Sequence, residues 1–210
     1  MTAARAGVTH LVVFIAGAGQ DAAAWDDQVS RLSEQKTLAV SATDLASPFG
    51  FDAAVAGLHD RIVDAGATSV TLVGLSLGGM IATRYAARHP DVVDGLLLSG
   101  SQIRPNPALM RLQRTILRLL PARALPMPDG LDKAGFLALI DAAARVDLRE
   151  DLPQITATAL VLCGAKDRPN LPAARDLAAS LLDAELRIVP AAGHELATDA
   201  PEDFAVRTLL

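Results

Sequence analysis

The sequence is poor in cysteine and lacks long apolar runs, and each shortage excludes a class of protein. It contains a single cysteine, Cys163, so no disulfide can form within the chain, and its apolar neighbours favour a buried strand. No apolar run approaches the roughly 18 residues that a membrane-spanning helix needs. The run from Leu11 to Ala16 is also too short for the core of a signal peptide. We therefore expect a cytoplasmic protein with no membrane partner.

The sequence also has few aromatic residues and no excess of positive charge. Aromatic residues make up 3% of the chain, which leaves little for stacking on bases, and the net charge at pH 7 is −5. Because arginine and lysine are scattered among acidic residues, no broad basic surface is expected, which excludes nucleic acid as the main partner. What the chain does have is apolar residues, which are 51% of its 210 positions. This composition suits a sizeable core and predicts a single domain over residues 1–210.

Short apolar runs alternate with helical patterns along most of the chain. Such alternation predicts an α/β fold in which a doubly wound, mostly parallel sheet of about six strands carries helices on both faces. The predicted strands are Leu11–Ala16, Leu38–Ala42, Val70–Leu75, Gly95–Ser99, Ala159–Cys163 and Leu186–Val189. The predicted helices are Asp21–Gln35, Phe51–Ala65, Met80–Arg88, Ala173–Leu182 and Pro201–Leu209.

The alternation breaks between the fourth and fifth predicted strands. Two apolar stripes at helical spacing occur there with no strand between them, and proline-rich turns isolate the segment. The stripes are Leu109, Leu112, Ile116 and Leu119, and then Phe136, Leu137, Ile140 and Ala144. We interpret residues 102–153 as a small helical cap over the carboxyl end of the sheet. The alternative is that these helices cover one face of the sheet.

A Gly-x-Ser-x-Gly pattern lies in the first half of the sequence. Gly74, Ser76 and Gly78 directly follow the apolar run from Val70, and a helix-forming stretch follows them. A serine at a sharp turn between strand and helix needs glycines on either side, because a Cβ there would collide with the neighbouring strand and helix. The strand before and the helix after the pattern make Ser76 a candidate nucleophile rather than an incidental serine in a turn.

A serine hydroxyl needs a base to become a nucleophile, and the base needs an acceptor that orients it. His194 follows the last predicted strand and Asp167 follows the one before it, so both should lie at the same sheet edge as Ser76. The other histidines, His10, His59 and His89, are expected to have packing or surface roles. Asp147 and Asp151 lie in or beside the predicted cap and suit helix ends or solvation better.

These motifs resemble those of the α/β-hydrolase superfamily, in particular a small serine esterase or thioesterase. Gly74-Leu-Ser76-Leu-Gly78-Gly79 resembles the nucleophile elbow, Gly164-Ala-Lys-Asp167 the acid loop, and Gly193-His194 with the later Ala200-Pro201-Glu202 and Phe204 the histidine loop. Gly17-Ala18-Gly19 with Trp25 resembles the oxyanion-loop region, and Asp44 the aspartate after the following strand. The resemblance covers nearly the whole chain except residues 102–153.

The resemblance implies that the backbone amides of Ala18 and Leu77 form an oxyanion hole, with Gly19 as the alternative to Ala18. It implies no cofactor and no metal. The chain departs from the family pattern by carrying Ala16-Gly17 where members usually have His-Gly, which leaves the detailed form of this loop open. It also begins at what would be the third strand of the longer family pattern, so a minimal sheet is expected.

The predicted function is hydrolysis of a carboxylic ester or thioester, through an acyl-enzyme on Ser76 with His194 as base and Asp167 as its orienting partner. Serine rather than aspartate at the elbow argues against the epoxide hydrolases and haloalkane dehalogenases that share this fold. Three alternatives use the same residues: a cofactor-free perhydrolase, a hydroxynitrile lyase, and a receptor that turns its ligand over slowly.

The predicted cap is rich in arginine. Arg111, Arg114 and Arg118 recur at spacings of three and four, so they share one helix face, and no acidic residue lies between Arg104 and Arg123. One hypothesis is that these arginines steer an anionic partner towards the site, such as an acyl carrier domain, a coenzyme A thioester or a substrate carboxylate. The alternative is a solvated face with ordinary ion pairs.

Overall fold

Six parallel strands form one sheet, and helices cover both of its faces. The structure, a computed structural model, describes residues 9–125, 127–128 and 130–204. The strands are β1 (His10–Ile15), β2 (Thr37–Val40), β3 (Ser69–Leu75), β4 (Val93–Ser99), β5 (Thr158–Gly164) and β6 (Ala184–Val189). Their order across the sheet is β2-β1-β3-β4-β5-β6, and every neighbouring pair is parallel. The α/β prediction with a parallel sheet of six strands is thus confirmed.

The strand order places the loops after β1 and β3 beside each other. From β1 the chain crosses to β2 on one side and then returns to β3 on the other, so β1 and β3 flank the point where the winding direction changes. In open parallel sheets, ligands bind outside the carboxyl ends of the strands at such a point.

Eight α-helices lie in the described part of the chain. They are α1 (Asp26–Ser30), α2 (Ala42–Leu45), α3 (Phe51–Asp64), α4 (Leu77–Arg88), α5 (Pro107–Leu119), α6 (Lys133–Ala143), α7 (Leu171–Ser180) and α8 (Leu196–Asp199). Short 3-10 helices occur at Ala22–Trp25, Ala122–Ala124 and Leu152–Gln154.

The sheet is buried on both faces, as the continuous apolar runs indicate. Along β1, Leu11, Val13 and Ile15 belong to the core on one side, whereas Val12 and Phe14 belong to the core on the other. Cys163 on β5 is 1% exposed, and burial raises the pKa of its thiol to about 11. It is a packing residue with a protonated sulfur at neutral pH.

Trp25 fills one end of the second core. Its ring lies 5.3 Å from that of Phe14 and 5.4 Å from that of Phe204, measured between centroids. Both pairs are tilted, which is a favourable arrangement of aromatic quadrupoles. The contact attaches the segment after α8 to β1, although the two are far apart in the sequence.

The structure corrects three of the predicted elements. The helix over Asp21–Gln35 is wrong in length: a 3-10 turn and α1 occupy residues 22–30, and turns follow. The hydroxyl of Ser30 donates to the carbonyl of Asp27 at 2.7 Å, a local bond of the kind that competes with helix continuation. The strand predicted to reach Ala42 ends at Val40, because Ser41 and Asp44 form a reciprocal capping box that starts α2.

The third correction concerns only the beginning of the last predicted helix. A helix is predicted over Pro201–Leu209, but α8 precedes it and residues 201–203 form a turn. α8 ends at Asp199, and Ala200 has φ −146°, because the residue before a proline disfavours helical backbone angles. Residues 205–210 lie outside the described residues.

Between β4 and β5 the chain forms α5 and α6 with no strand in the described part, as expected. Arg114 of α5 forms an ion pair with Asp141 of α6 at 2.7 Å. At the base of the segment, Arg84 of α4 lies 2.8 Å from Asp151 and donates to the carbonyl of Asp147 at 2.9 Å. The boundaries 102–153 of a cap, and the single domain over 1–210, stay predictions.

Candidate active site

Ser76 occupies the sharp turn between β3 and α4. Its backbone has φ 53° and ψ −114°, a conformation that costs a non-glycine residue about 1–3 kcal/mol. The turn is held by a hydrogen bond from the Ser76 amide to the Ser99 carbonyl at 2.8 Å and by one from the Met80 amide to the Ser76 carbonyl at 3.1 Å. A strained serine at a strand-to-helix turn is a frequent feature of reactive sites.

The glycine two residues after Ser76 permits this turn. A Cβ added at Gly78 would lie 2.1 Å from the carbonyl oxygen of Ile15, at the end of the neighbouring strand β1. No side chain fits at that distance, so only glycine lets α4 begin this close to β1.

His194 and Asp167 meet at the carboxyl edge of the sheet. His194 follows β6 and Asp167 follows β5, and the distance between His194 Nδ1 and Asp167 Oδ2 is 2.7 Å. The Asp167 side chain is 7% exposed and that of His194 is 37% exposed. The structure therefore brings together the two residues that the sequence predicts as base and orienting acid.

Asn170 is a further contact of this pair that the sequence analysis missed. Its amide nitrogen donates to both carboxylate oxygens of Asp167, at 2.9 and 3.0 Å, and lies 3.3 Å from His194 Nδ1. The carboxylate thus accepts hydrogen bonds from the imidazole and from the amide, which fixes its orientation.

These contacts raise the pKa of His194 and lower that of Asp167. A hydrogen bond to Asp167 raises the pKa of His194 above its usual value, although burial acts against it. Burial alone would raise the pKa of Asp167, but hydrogen bonds from His194 and Asn170 outweigh it and bring the pKa below its usual value. An ionised carboxylate beside a histidine that protonates readily is the electrostatic arrangement that a base requires.

Gly100 lets the His194 ring pack against the end of β4. Gly100 has φ +55°, and a Cβ there would lie 2.8 Å from Cε1 of His194. A side chain at this position would therefore displace the imidazole.

Ser76 and His194 border one open cavity of about 730 Å³. Among the described residues no hydrogen bond joins their side chains, so the cavity lining is what relates the two residues. Its lining includes Leu109, Leu112 and Ile116 of α5. Pro169 and Pro172, from the loop before α7 and the start of α7, also line it. Hydrogen bonds at such sites commonly shorten only when substrate is bound.

The two expected oxyanion donors follow β1 and β3 at this edge. Leu77 is the first residue of α4, where backbone amides have no partner within the helix. Ala18 lies in a turn closed by a hydrogen bond from the Gln20 amide to the Gly17 carbonyl at 3.2 Å. The side chain of Gln20 also accepts from the Gly17 amide at 3.1 Å, a contact that the sequence analysis missed.

The other three histidines have partners away from Ser76. His10 contacts the hydroxyls of Ser69 and Thr71 at 2.7 and 3.1 Å, and His59 and His89 stack on each other. Within the described ranges, no group of three or more His, Cys, Asp or Glu side chains could hold a metal ion. Among the same residues, no helix is both long and apolar enough to cross a membrane.

The model of the alpha/beta hydrolase family matches residues 12–207 of this sequence. The chain belongs to the α/β-hydrolase family. It is 30% identical over 202 aligned residues to a pimeloyl-(acyl-carrier protein) methyl ester esterase of Neisseria meningitidis serogroup A, an alignment that covers 77% of this chain and 63% of that relative.

Solved structures agree with the fold. A hydrolase from Pseudomonas aeruginosa PA01 superposes with a TM-score of 0.82 at 19% identity, covering 96% of this chain and 89% of that one. The enol-lactonase from Burkholderia xenovorans LB400 superposes with a TM-score of 0.81 at 20% identity, covering 98% and 92%. Family and relatives together indicate a hydrolase.

Proposed function

We propose that the protein hydrolyses a carboxylic ester or thioester through an acyl-enzyme on Ser76. The observation that carries the proposal is the 2.7 Å contact between His194 Nδ1 and Asp167, beside the cavity that the strained Ser76 also borders. The family membership and a relative named as an esterase support the same reaction class.

The reaction follows from the roles that these groups can perform. The ring nitrogen Nε2 of neutral His194 takes the proton of the Ser76 hydroxyl as its oxygen attacks the substrate carbonyl. Asp167 holds Nδ1–H and stabilises the imidazolium that forms. The imidazolium then protonates the leaving oxygen or sulfur, so that the alcohol or thiol departs. His194 next takes a proton from a water molecule as that water attacks the acyl carbonyl, and returns the proton to Ser76 Oγ as the acid leaves.

The negative oxygen of the tetrahedral intermediate needs donors that are in place before the reaction. We assign this role to the backbone amides of Ala18 and Leu77, with Gly19 as the alternative donor in the first loop. Two such donors commonly lower the barrier by several kcal/mol.

The apolar part of the substrate is expected to lie against α5. This helix has no fully buried residue, and Leu109, Leu112 and Ile116 on its apolar side are about half exposed where they line the cavity. An acyl chain bound there would remove both surfaces from water, at about 0.8 kcal/mol for each buried methylene group. On this proposal residues 102–153 are the cap of the site.

An anionic acyl carrier is a proposed partner through the cap arginines. Arg114 is paired with Asp141, whereas Arg104 lies 3.8 Å from Asp147 and borders the cavity. Arg111 donates to the Pro107 carbonyl of its own helix. A carbonyl carries no negative charge, so this contact does not neutralise the arginine. The relative named above has an acyl-carrier protein ester in its name, which supports a carrier-bound substrate. A cytoplasmic location belongs to the same proposal.

Labelling with a fluorophosphonate, followed by a chain-length series of p-nitrophenyl esters and acyl thioesters, tests the proposal. We expect labelling of the parent and none of Ser76→Ala, together with multiple turnovers of at least one ester class. A Ser76→Ala variant that hydrolyses the esters at the parental rate contradicts it. Labelling without multiple turnover of any ester indicates a receptor or a different reaction at the same residues.

A further inference from the structure

A polar bridge joins two loops of the candidate site that the sheet does not hold together. Gln20 lies in the loop after β1, and Glu195 directly follows His194 in the loop after β6. The side-chain amide nitrogen of Gln20 donates to Oε2 of Glu195, and its oxygen accepts from the Gly17 amide at 3.1 Å. One side chain thus contacts both loops at once.

The orientation of the Gln20 amide follows from its two partners. A backbone N–H requires an acceptor and a carboxylate requires a donor, so the oxygen must face Gly17 and the nitrogen must face Glu195. An inverted amide would place like atoms opposite each other on both sides. The bridge therefore specifies a single arrangement.

The sheet itself does not set the distance between these loops. Strands β3, β4 and β5 separate β1 from β6, and the bridged residues are 175 positions apart in the sequence. The loop after β1 contains Gly17 and Gly19, and glycine is conformationally permissive, so the turn depends on hydrogen bonds such as that from the Gln20 amide to the Gly17 carbonyl. The Gln20–Glu195 contact connects this loop directly to the one that carries the histidine, whereas Gln28 with Ala197 and Trp25 with Phe204 hold together only the segments that follow these loops.

We propose that Gln20 and Glu195 are positioning residues, which keep the loop of the Ala18 amide and the loop of the His194 imidazole in fixed relation. The inference rests on the proposed function, in which the amide stabilises the oxyanion and the imidazole moves the proton. Neither residue is assigned a contact with the reacting atoms. Their effect is on the geometry of the groups that have one.

Glu195 has a second effect, which gives an independent measurement. Its charge adds to that of Asp167 in raising the pKa of His194, after the larger effect of the hydrogen bond to Asp167. A third carboxylate in this region, that of Asp199, accepts a hydrogen bond from the Gly193 amide at 2.6 Å. Replacing Glu195 by glutamine should therefore lower the pKa of His194 while leaving Asp167 and Asp199 in place.

An exchange of the two side chains tests the bridge. Gln20→Glu keeps an acceptor for Gly17 but places two carboxylates against each other, whereas adding Glu195→Gln restores one donor and one acceptor. With p-nitrophenyl acetate we expect Gln20→Glu to lower kcat about tenfold with little change in KM. The double variant should return kcat to within about threefold of that of Glu195→Gln alone.

Glu34 and Gln35 provide matched controls. Both are exposed before β2, and Glu34→Gln and Gln35→Glu make the same changes of charge away from the cavity. We expect parental kcat from both controls and from their combination. The pKa of His194, followed by NMR titration, should fall in Glu195→Gln and stay unchanged in Glu34→Gln.

Two results would overturn the inference: parental kcat in Gln20→Glu, or a double variant whose loss equals the product of the two single losses. The free energy of unfolding of the parent, the two single variants and the double variant, measured in urea, separates this inference from the proposed function. If the parent neither labels nor turns over, the proposed function fails. Additive effects on unfolding then also exclude the bridge, whereas non-additive effects retain it as a coupling between the two loops.

Discussion

The imidazole rings of His59 and His89 stack face to face, with centroids 4.6 Å apart and 8° between their planes. Tyr85 closes the cluster, because its ring centroid lies 4.4 Å from that of His89. Burial lowers the pKa of His89, and the charges of His59 and Arg88 lower it further. The cluster joins α3 to the end of α4 and is most stable when His89 is neutral.

The cluster predicts that acid weakens the fold. In the window between the lowered pKa of folded His89 and its usual value near 6.5, the unfolded chain binds more protons than the folded chain, so stability falls as pH decreases through this window. Urea unfolding from pH 7.5 to 5 measures the loss. We expect a smaller loss in His89→Gln, since that variant has no imidazole to protonate, and an equal loss in both proteins would contradict the prediction.

Gly78→Ala is expected to destabilise the protein by about 2–3 kcal/mol, because the added Cβ would lie 2.1 Å from the Ile15 carbonyl oxygen. Thermal or urea unfolding measures the change. Gly50→Ala is the control: its Cβ would meet only the Cβ of Ala53, at 3.6 Å, and the backbone there is extended with φ −137°. If the two variants were equally stable, the close approach of α4 to β1 would be wrong.

Ser76→Gly is expected to raise the free energy of unfolding by about 1 kcal/mol, because glycine adopts φ 53° without strain. The same change removes the proposed nucleophile, so fluorophosphonate labelling should be lost. Ser30→Gly in α1 provides the contrast, since glycine in an ordinary helix lowers stability. A destabilised Ser76→Gly variant would show that the turn stores no strain.

Asp167→Asn is expected to move the acidic limb of the kcat/KM profile to lower pH and to reduce its plateau. His194 acts as a base only when neutral, and the hydrogen bond to Asp167 raises its pKa, so activity should fall as pH decreases through that raised pKa. Without the carboxylate the pKa of His194 falls and the limb follows it. Asp91→Asn, on an exposed residue, should leave the limb in place. An unmoved limb in Asp167→Asn would assign it to another group.

Reversing the charge of Arg111 and Arg118 is expected to slow the reaction with an anionic acyl-coenzyme A thioester at low salt. Steering by charge weakens as salt increases, so the loss in kcat/KM should disappear at high ionic strength. Hydrolysis of a neutral p-nitrophenyl ester serves as the internal control and should not change. Equal losses with both substrates would indicate damage to α5 rather than lost steering. Arg114 is left unchanged because its partner is Asp141.

The parallel six-stranded sheet and the contact between Asp167 and His194 at its edge could be predicted from local patterns. Apolar runs, one Gly-x-Ser-x-Gly pattern and the rule that parallel strands end at one edge were enough to bring Asp167 and His194 together. Ser76 was predictable for the same reason, because strand, turn and helix are contiguous in the sequence. Its strained φ follows from that contiguity.

Contacts between distant side chains could not be predicted in this way. Gln20 and Asn170 have no periodic signal, and each acquires its role only when another loop folds against it. The short helix α2 is different, since Ser41 and Asp44 have the spacing of a capping box and were available as a local signal. The length of α1 depends on side-chain bonds around Asp27, which helix propensity does not encode.

The sequence has one tryptophan, Trp25, and the structure encloses it between Phe14 on β1 and Phe204 beyond α8. Its ultraviolet emission therefore comes from a single location, where the beginning and the end of the described chain are in contact. A red shift of that emission during denaturation would report separation of the two ends, and circular dichroism would follow the helices independently. Comparing the two signals tests whether the molecule unfolds in one step, with no dye attached.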